Sequence, residues 1–222
     1  MRAGQEISVR GAEKMTVVKR SGVEAELSYG KIRSRLSKLC YGLRLTSADV
    51  DALCVRVLDH MRPSMKTTDI DCLAAQLAAM LSADNADYGV LASRVEVSNL
   101  HKETPKRFSE VVRELSHNKV VTPSFARLVE DHKDEYDSAI IHDRDFNFSY
   151  FDIRTLIDMH LLRLNGKVTE RPQHLLMRVA VSSHQDDHEG ALKSYHLMSK
   201  MSTFHLPPGS LDAGRSDRRN DD

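Results

Sequence analysis

The chain has no tryptophan, and aromatic residues make up only 5% of its 222 positions. Any core must therefore be filled by aliphatic side chains and the nine methionines. Cysteine is scarce as well: Cys40, Cys54 and Cys72 stand apart, with no Cys-x-x-Cys spacing. That odd, scattered set supports neither a disulfide framework nor a thiolate zinc site, and it fits buried apolar positions in a reducing compartment. No apolar run approaches the roughly 20 residues that a membrane-spanning helix needs. The opening "MRAGQEISVRGAEK" lacks an apolar stretch and carries two glutamates, so neither a secretory leader nor a transit peptide is expected; Met15 is an alternative start. The expected location is cytoplasmic. An excess of charge is missing too, with 32 Lys+Arg against 32 Asp+Glu. That argues against nucleic acid or a membrane surface held by bulk electrostatics, yet it leaves room for a local cationic pocket.

What is present is helical periodicity. Ile32, Leu36, Leu39, Cys40 and Leu43 form one stripe; Val50, Leu53, Cys54, Val57, Leu58 and Met61 form a second, opening at Ser47 and closed by Pro63. A third helix, capped by Thr67 or Thr68, carries Ile70, Leu73, Leu77, Met80 and Leu81, and its small residues permit close packing. A fourth runs through "YGVLASRVEVSNLHKE", with Pro105 soon after. Residues 15–105 thus read as a short β-hairpin lid on a four-helix cluster, after an N-terminal extension at 1–14. Residues 106–206 read as further helix, in "FSEVVREL", "SFARLVEDHKDEY", "YFDIRTLIDMHLLRLNG" and "RPQHLLMRVAVSSH". Gly166 marks a helix end and Pro172 a first turn. The polar stretch 207–222 is expected to be disordered. The fold class is mainly α.

The hairpin "VVKRSGVEAELSYGKI" gathers Lys19, Arg20 and Lys31 around a tight turn and a helix start. Strand alternation sets Val18 and Arg20 on one face and Val17 and Lys19 on the other, while Ala25, Leu27 and Tyr29 make an apolar underside. A helix N-terminus favours an anion, and several donors from different elements are needed to hold a triphosphate. From charge and spacing alone a phosphate cradle and a solvated edge strand both remain open, the solvated face being the commoner outcome.

Longer runs narrow the choice. "VVKRSGVEAELSYGKIRSRLSKLCYGL", "TTDIDCLAAQLAAML" and "DYGVLASRVEVSNLHKET" resemble the ATP-cone domain of the class I ribonucleotide reductase large subunit. "SAIIHDRDFNFSYF" and "NGKVTERPQHLLMRV" resemble the helical segment that follows it. The resemblance implies a regulatory module that binds ATP as activator or dATP as inhibitor, with reductase large and small subunits as partners. It implies phosphate contacts from Lys19, Arg20 and Lys31, nucleoside contacts from Thr67 and Asp71, and Lys102 nearby. Asp71 is the candidate sensor of the ribose hydroxyl that dATP lacks. Gly30 and Ala25 stand where the family carries acidic residues, which bears on affinity and effector preference. The family's chemistry needs thiols in a catalytic barrel, and the three cysteines here all fall within the cone. The run "TFHLPPGSLDAG" only loosely follows the family's junction with that barrel. Catalysis by this chain alone is therefore not expected; a structural relic acting through association with intact subunits is the alternative. A free-standing cone repressor would need a preceding zinc ribbon, and residues 1–14 hold no cysteine.

Other clusters read as ordinary structure. His184 and His188 have i, i+4 spacing, but Gly190 and the lack of a third ligand favour a solvated helix end, and no metal is expected. His142, Asp143 and Asp145 read as packing, "ERPQH" as a helix start and "RSDRRND" as solvated tail.

Overall fold

A computed structural model describes residues 15–200 and 214–216. Strand β1 (Thr16–Val18) pairs antiparallel with β2 (Glu24–Glu26), in the register Thr16↔Glu26, Val17↔Ala25 and Val18↔Glu24. The Lys19 N–H donates to Val23 O and the Gly22 N–H to Lys19 O, both at 2.9 Å. Gly22 sits at φ +80°, a conformation glycine adopts without a Cβ clash. A third strand, β3 (Met65–Lys66), runs parallel to β1 on its other side and completes a sheet of order β2-β1-β3.

Beneath the sheet lie α1 (Tyr29–Leu39), α2 (Ser47–His60), α3 (Thr67–Met80) and α4 (Asp87–Glu103). Thr46 and Asp49 close a reciprocal capping box on α2, and the hydroxyl and backbone N–H of Thr46 hold the Asp49 carboxyl below its ordinary range. Ala75 and Ala78 of α3 are buried with Leu91, Ala92 and Val95 of α4. Small side chains let these two backbones approach closely, so the alanine-rich sequence becomes the centre of the core.

Several sequence expectations need correction here. Neither Thr67 nor Thr68 caps α3: Met65–Lys66 is drawn into the sheet, so Lys66 is the extended N-cap residue and Thr67 is already helical. Strand β1 ends at Val18, so Lys19 and Arg20 belong to the turn and strand alternation does not sort them onto opposite faces. The third strand extends the hairpin read from the residues into the small sheet that caps the helices in the domain the sequence resembles.

The remaining elements are α5 (Phe108–His117), α6 (Pro123–Asp131), α7 (Lys133–Ala139), α8 (Tyr150–Thr155), β4 (Arg163–Leu164), β5 (Lys167–Val168), α9 (Pro172–His184) and α10 (His188–Ser199). The expected long helix over "YFDIRTLIDMHLLRLNG" is instead α8, a π turn at Leu156–His160 and a hairpin. Asn165 and Gly166 both take positive φ, 50° and 78°, so the Asn-Gly pair makes a two-residue β-turn and Gly166 caps no helix. Likewise "SFARLVEDHKDEY" breaks at His132 between α6 and α7. Of the expected disordered tail, residues 214–216 are described: Thr122 N–H donates to Gly214 O and Ser216 N–H to Val120 O, each at 3.0 Å. The rest of that stretch, and the extension at 1–14, lie outside the described residues.

Helix α9 is buried along ten consecutive residues and serves two cores. Met177, Ala180 and Val181 pack with Phe108, Val111 and Tyr195, while Leu175 and Val179 pack with Val97 and Leu100 of α4. Helix α4 therefore joins the cone to the helices that follow.

At that joint His101, His142 and His174 meet edge to face, with ring centroids 5.9 and 5.3 Å apart. His101 Nε2 lies 2.7 Å from Oδ2 of the fully buried Asp145. Burial, then the charges of Arg171 and His101, push His142 down to about 4; burial also holds His174 well below the usual imidazole range. Such histidines favour the folded state while neutral, so their contribution is complete above about pH 6.5 and fades as pH falls towards about 4. Burial raises the Asp145 carboxyl, which works in the opposite direction. With two imidazoles against one carboxyl, urea unfolding is expected to show stability falling on acidification through this window. His142→Gln removes one contribution, so its profile is flatter than that of the parent chain; an equal slope would mean that these rings do not couple to folding.

Candidate functional site

The sheet does not seal against the helices. Between β1–β2 and helices α1 and α3 lies a cavity of about 320 Å³. Val17, Leu36, Ile70 and Ala74 form its buried apolar wall, continued by Ala25, Leu27 and Ile32. Lys19, Arg20, Lys31, Arg35, Thr67 and Asp71 add polar groups to its lining. An apolar interior with a few convergent polar groups suits a flat heterocycle carrying an anionic tail.

A second concavity adjoins it across α1, a groove of about 650 Å³ lined by Gly30, Lys31, Ser34, Arg35, Lys38, Leu39, Ser98 and Lys102. Lys31 and Arg35 line both spaces. The groove's lining holds four cations and no carboxylate. Burial, then the Arg35 charge, pulls the Lys102 ammonium below its ordinary range, with Arg20 adding to the effect and Asp71 opposing it. An anion placed there relieves that repulsion.

Asp71, only 7% exposed, organises the cations at its own level. Arg20 Nη2 donates to its Oδ2 at 3.0 Å and Arg35 Nε to its Oδ1 at 2.5 Å. Arg20 also donates through Nε to Glu103 at 2.6 Å, and through Nη2 to Asn99 Oδ1. Arg35 Nη2 is buried with no hydrogen-bond partner among the described residues. Lys19 and Lys31 likewise have no ion-pair partner among them.

Five of the six residues singled out from sequence thus line one cavity: Lys19, Arg20, Lys31, Thr67 and Asp71. The sixth, Lys102, lies in the adjoining groove. Arg35, Asn99 and Glu103 were not foreseen. Arg35 had a signal, since it follows Lys31 by one helical turn and so shares its face. Asn99 and Glu103 are also one turn apart on α4, but nothing local pairs them with Arg20 across the fold. At Gly30 an added Cβ would meet only Ser28 Oγ at 3.9 Å, so the glycine is not demanded by space.

Residues 15–103 match the family described as ATP cone domain, and residues 146–214 match that described as ribonucleotide reductase, all-alpha domain. Over 211 residues the chain is 40% identical to the ribonucleoside-diphosphate reductase large subunit of vaccinia virus (strain Copenhagen), covering 91% of this chain and 27% of that protein. It is 42% identical over 210 residues to the large chain from Schizosaccharomyces pombe (strain 972 / ATCC 24843), covering 90% and 26%. The Danio rerio large subunit is 40% identical over 209 residues, again covering 90% and 26%. The chain therefore spans about a quarter of the length of these relatives.

Proposed function

Since it joins an ATP cone to a ribonucleotide reductase all-alpha domain, the chain belongs to the ribonucleotide reductase large-subunit family, and we propose that its cone cavity binds ATP or dATP as a regulatory ligand. The observation that carries this reading is the pairing of an apolar cavity with donors that have no ion-pair or hydrogen-bond partner among the described residues. Lys19 and Lys31, together with Arg35 Nη2, offer positive charge beside a space whose wall is aliphatic. The base occupies that wall, and the phosphates run out past Lys19 and Lys31 towards Lys102 in the groove.

Arg20 combines two roles, meeting the phosphates and positioning the Asp71 carboxylate. Thr67 and Asp71 face the ribose. A carboxylate has more acceptor sites than two guanidinium contacts use, so Asp71 can also accept from a ribose hydroxyl. The hydroxyl missing from dATP then changes one hydrogen bond in a half-enclosed site, which is enough to separate the effectors. ATP as activator and dATP as inhibitor shift the assembly of large and small reductase subunits only by the difference in their affinities for the alternative arrangements.

The region carries regulation and no catalysis of its own. Burial pushes the thiols of Cys54 and Cys72 up to about 11, so neither is a reactive thiolate near neutral pH. A cytoplasmic location follows from the same reading; among the described residues no helix is long and apolar enough to cross a membrane.

Lys19→Ala and Lys31→Ala test the phosphate assignment. Each removes a charged donor without breaking an ion pair among the described residues, so folding stability should hold while ATP affinity falls about 10- to 100-fold. Unchanged ATP affinity in both variants would remove the phosphates from this rim.

A further inference from the structure

Away from the cone, side chains from the α6–α7 junction and the start of α10 converge near the surface. His132 lies between α6 and α7, Glu135 in the first turn of α7, and His188 at the start of α10. We propose that these residues form a binding site for a divalent transition metal of the Zn²⁺ class, which fastens α10 to the α6–α7 junction. The proposal is independent of nucleotide binding by the cone.

Buried packing, and not the three polar groups, brings the site together. Tyr136, next to Glu135, is 1% exposed and fixes the roll of α7. Tyr195 is completely buried and follows His188 by two turns on the same face of α10. Its hydroxyl oxygen accepts from the Ile141 N–H at 3.0 Å, just beyond the end of α7. The two helices are thereby held alongside each other, with His188 beside the end of α7 that carries His132 and Glu135.

The ligand atoms have metal-like spacing. His132 Nδ1 lies 3.3 Å from Glu135 Oε1, and His188 Nε2 lies 3.3 Å from Glu135 Oε2. All three donors fall within 4.8 Å of one another. Charge-assisted N–H···O bonds close to about 2.7–2.9 Å, so neither contact is a tight ion pair. Donors arranged tetrahedrally at about 2.0–2.1 Å from one ion stand about 3.3–3.4 Å apart. Each histidine nitrogen is at that distance from one of the two carboxylate oxygens, and the whole set lies within 4.8 Å, so small side-chain rotations close it on one ion. The imidazoles stack with centroids 4.2 Å apart and planes 7° from parallel, so the rings must tilt out of the stack to aim both in-plane lone pairs at one ion.

Donor chemistry selects the ion. Two imidazoles and one carboxylate suit zinc and its neighbours, whereas calcium and magnesium demand oxygen ligands. Side-chain exposures of 35%, 54% and 33% leave an open approach and room for water at a fourth position. The spacing-based pair, His184 and His188, does not share a helix face: the chain breaks at Gln185, with φ 48°, and His184 Nε2 turns to Ser194 Oγ at 2.7 Å.

The test titrates the full, metal-free chain with Zn²⁺ by calorimetry and with Co²⁺ by visible absorption. One saturable site per chain is expected, with Co²⁺ bands that lack thiolate charge transfer. His132→Ala and His188→Ala should each weaken Zn²⁺ at least about tenfold, while His184→Ala leaves it unchanged. Zn²⁺ should also raise the unfolding temperature of the parent chain more than that of either variant. His132 makes no side-chain capping bond on α7, so its replacement leaves the helix start intact. Absence of saturable binding, affinity that survives both substitutions, equal loss in His184→Ala, or thiolate bands that place the ion at cysteine would each overturn the assignment.

Discussion

Arg178→Met is expected to cost about 3–5 kcal/mol of folding stability, the range for breaking a fully buried ion pair by removing one partner. Arg178 and Glu170 are 0% and 1% exposed at their side chains, joined by Nε to Oε1 at 2.7 Å and Nη2 to Oε2 at 3.1 Å. Glu170 Oε2 also accepts from the Leu162 N–H at 3.1 Å, so the pair pins the β4–β5 hairpin to α9. Methionine fills similar volume, which keeps any cavity effect small. What remains is a carboxylate that has lost both guanidinium contacts at a side chain only 1% exposed, and its desolvation is the main cost. For a chain of this length that corresponds to a fall of about 6–20 °C in unfolding temperature. A change below about 1 kcal/mol would mean that water reaches Glu170 or that the pair is easily replaced.

Ala74→Phe should abolish ATP binding while leaving the cone folded. Ala74 is 2% exposed on α3 and lines the cavity opposite the sheet. A phenyl ring there takes the volume assigned to the base, and the existing space lets it enter with less strain than an insertion into a filled core. The expected reading is a loss of ATP affinity beyond about 100-fold, since the burial of the base against the aliphatic wall disappears. Circular dichroism and urea unfolding should stay near the parent values, within about 1–3 kcal/mol. Retained affinity would place the base elsewhere and leave this cavity without a ligand. Comparison with Lys19→Ala separates the two halves of the site: one variant removes a charged contact, the other removes room.

Most helices were legible because their apolar stripes repeat at helical spacing over more than two turns. Leu36, Leu53, Cys54, Val57, Ile70 and Leu77 are all buried where periodicity placed them. Strand β3 was not legible, since two residues carry no period and its pairing with β1 is settled only when α2 and α3 fold back. Gly166 misled for a local reason. A glycine after an apolar run looks like a helix end, and only the preceding Asn165, with Leu164 before the pair and Val168 two residues after it, signals a tight hairpin turn. Gln185 broke the spacing of His184 and His188, and neither its identity nor its neighbours announce a left-handed backbone.

In the cone the readable part was the charge clustered within one hairpin and one helix start. Lys19, Arg20 and Lys31 stand close in sequence, so their meeting needed only the turn at Gly22. The network around Asp71 was hidden because its partners come from 36 and 51 residues away. Helix phase placed Arg35 beside Lys31, yet only the packing of α1 on α2 and α4 brings it within reach of Asp71. Resemblance supplied Thr67, Asp71 and Lys102, which no local pattern would have joined.

The most direct measurement is thermal unfolding of the purified chain with ATP and with dATP, beside the same scans on Lys19→Ala. At about a hundred times the dissociation constant, a ligand that binds only the folded state adds about 2.7 kcal/mol. The account predicts a rise of about 5–11 °C with both nucleotides in the parent chain, reduced in Lys19→Ala at the same concentrations. A folded parent chain whose transition does not move with either nucleotide would contradict it, and would leave the cone as a structural part of the reductase family with no effector of its own.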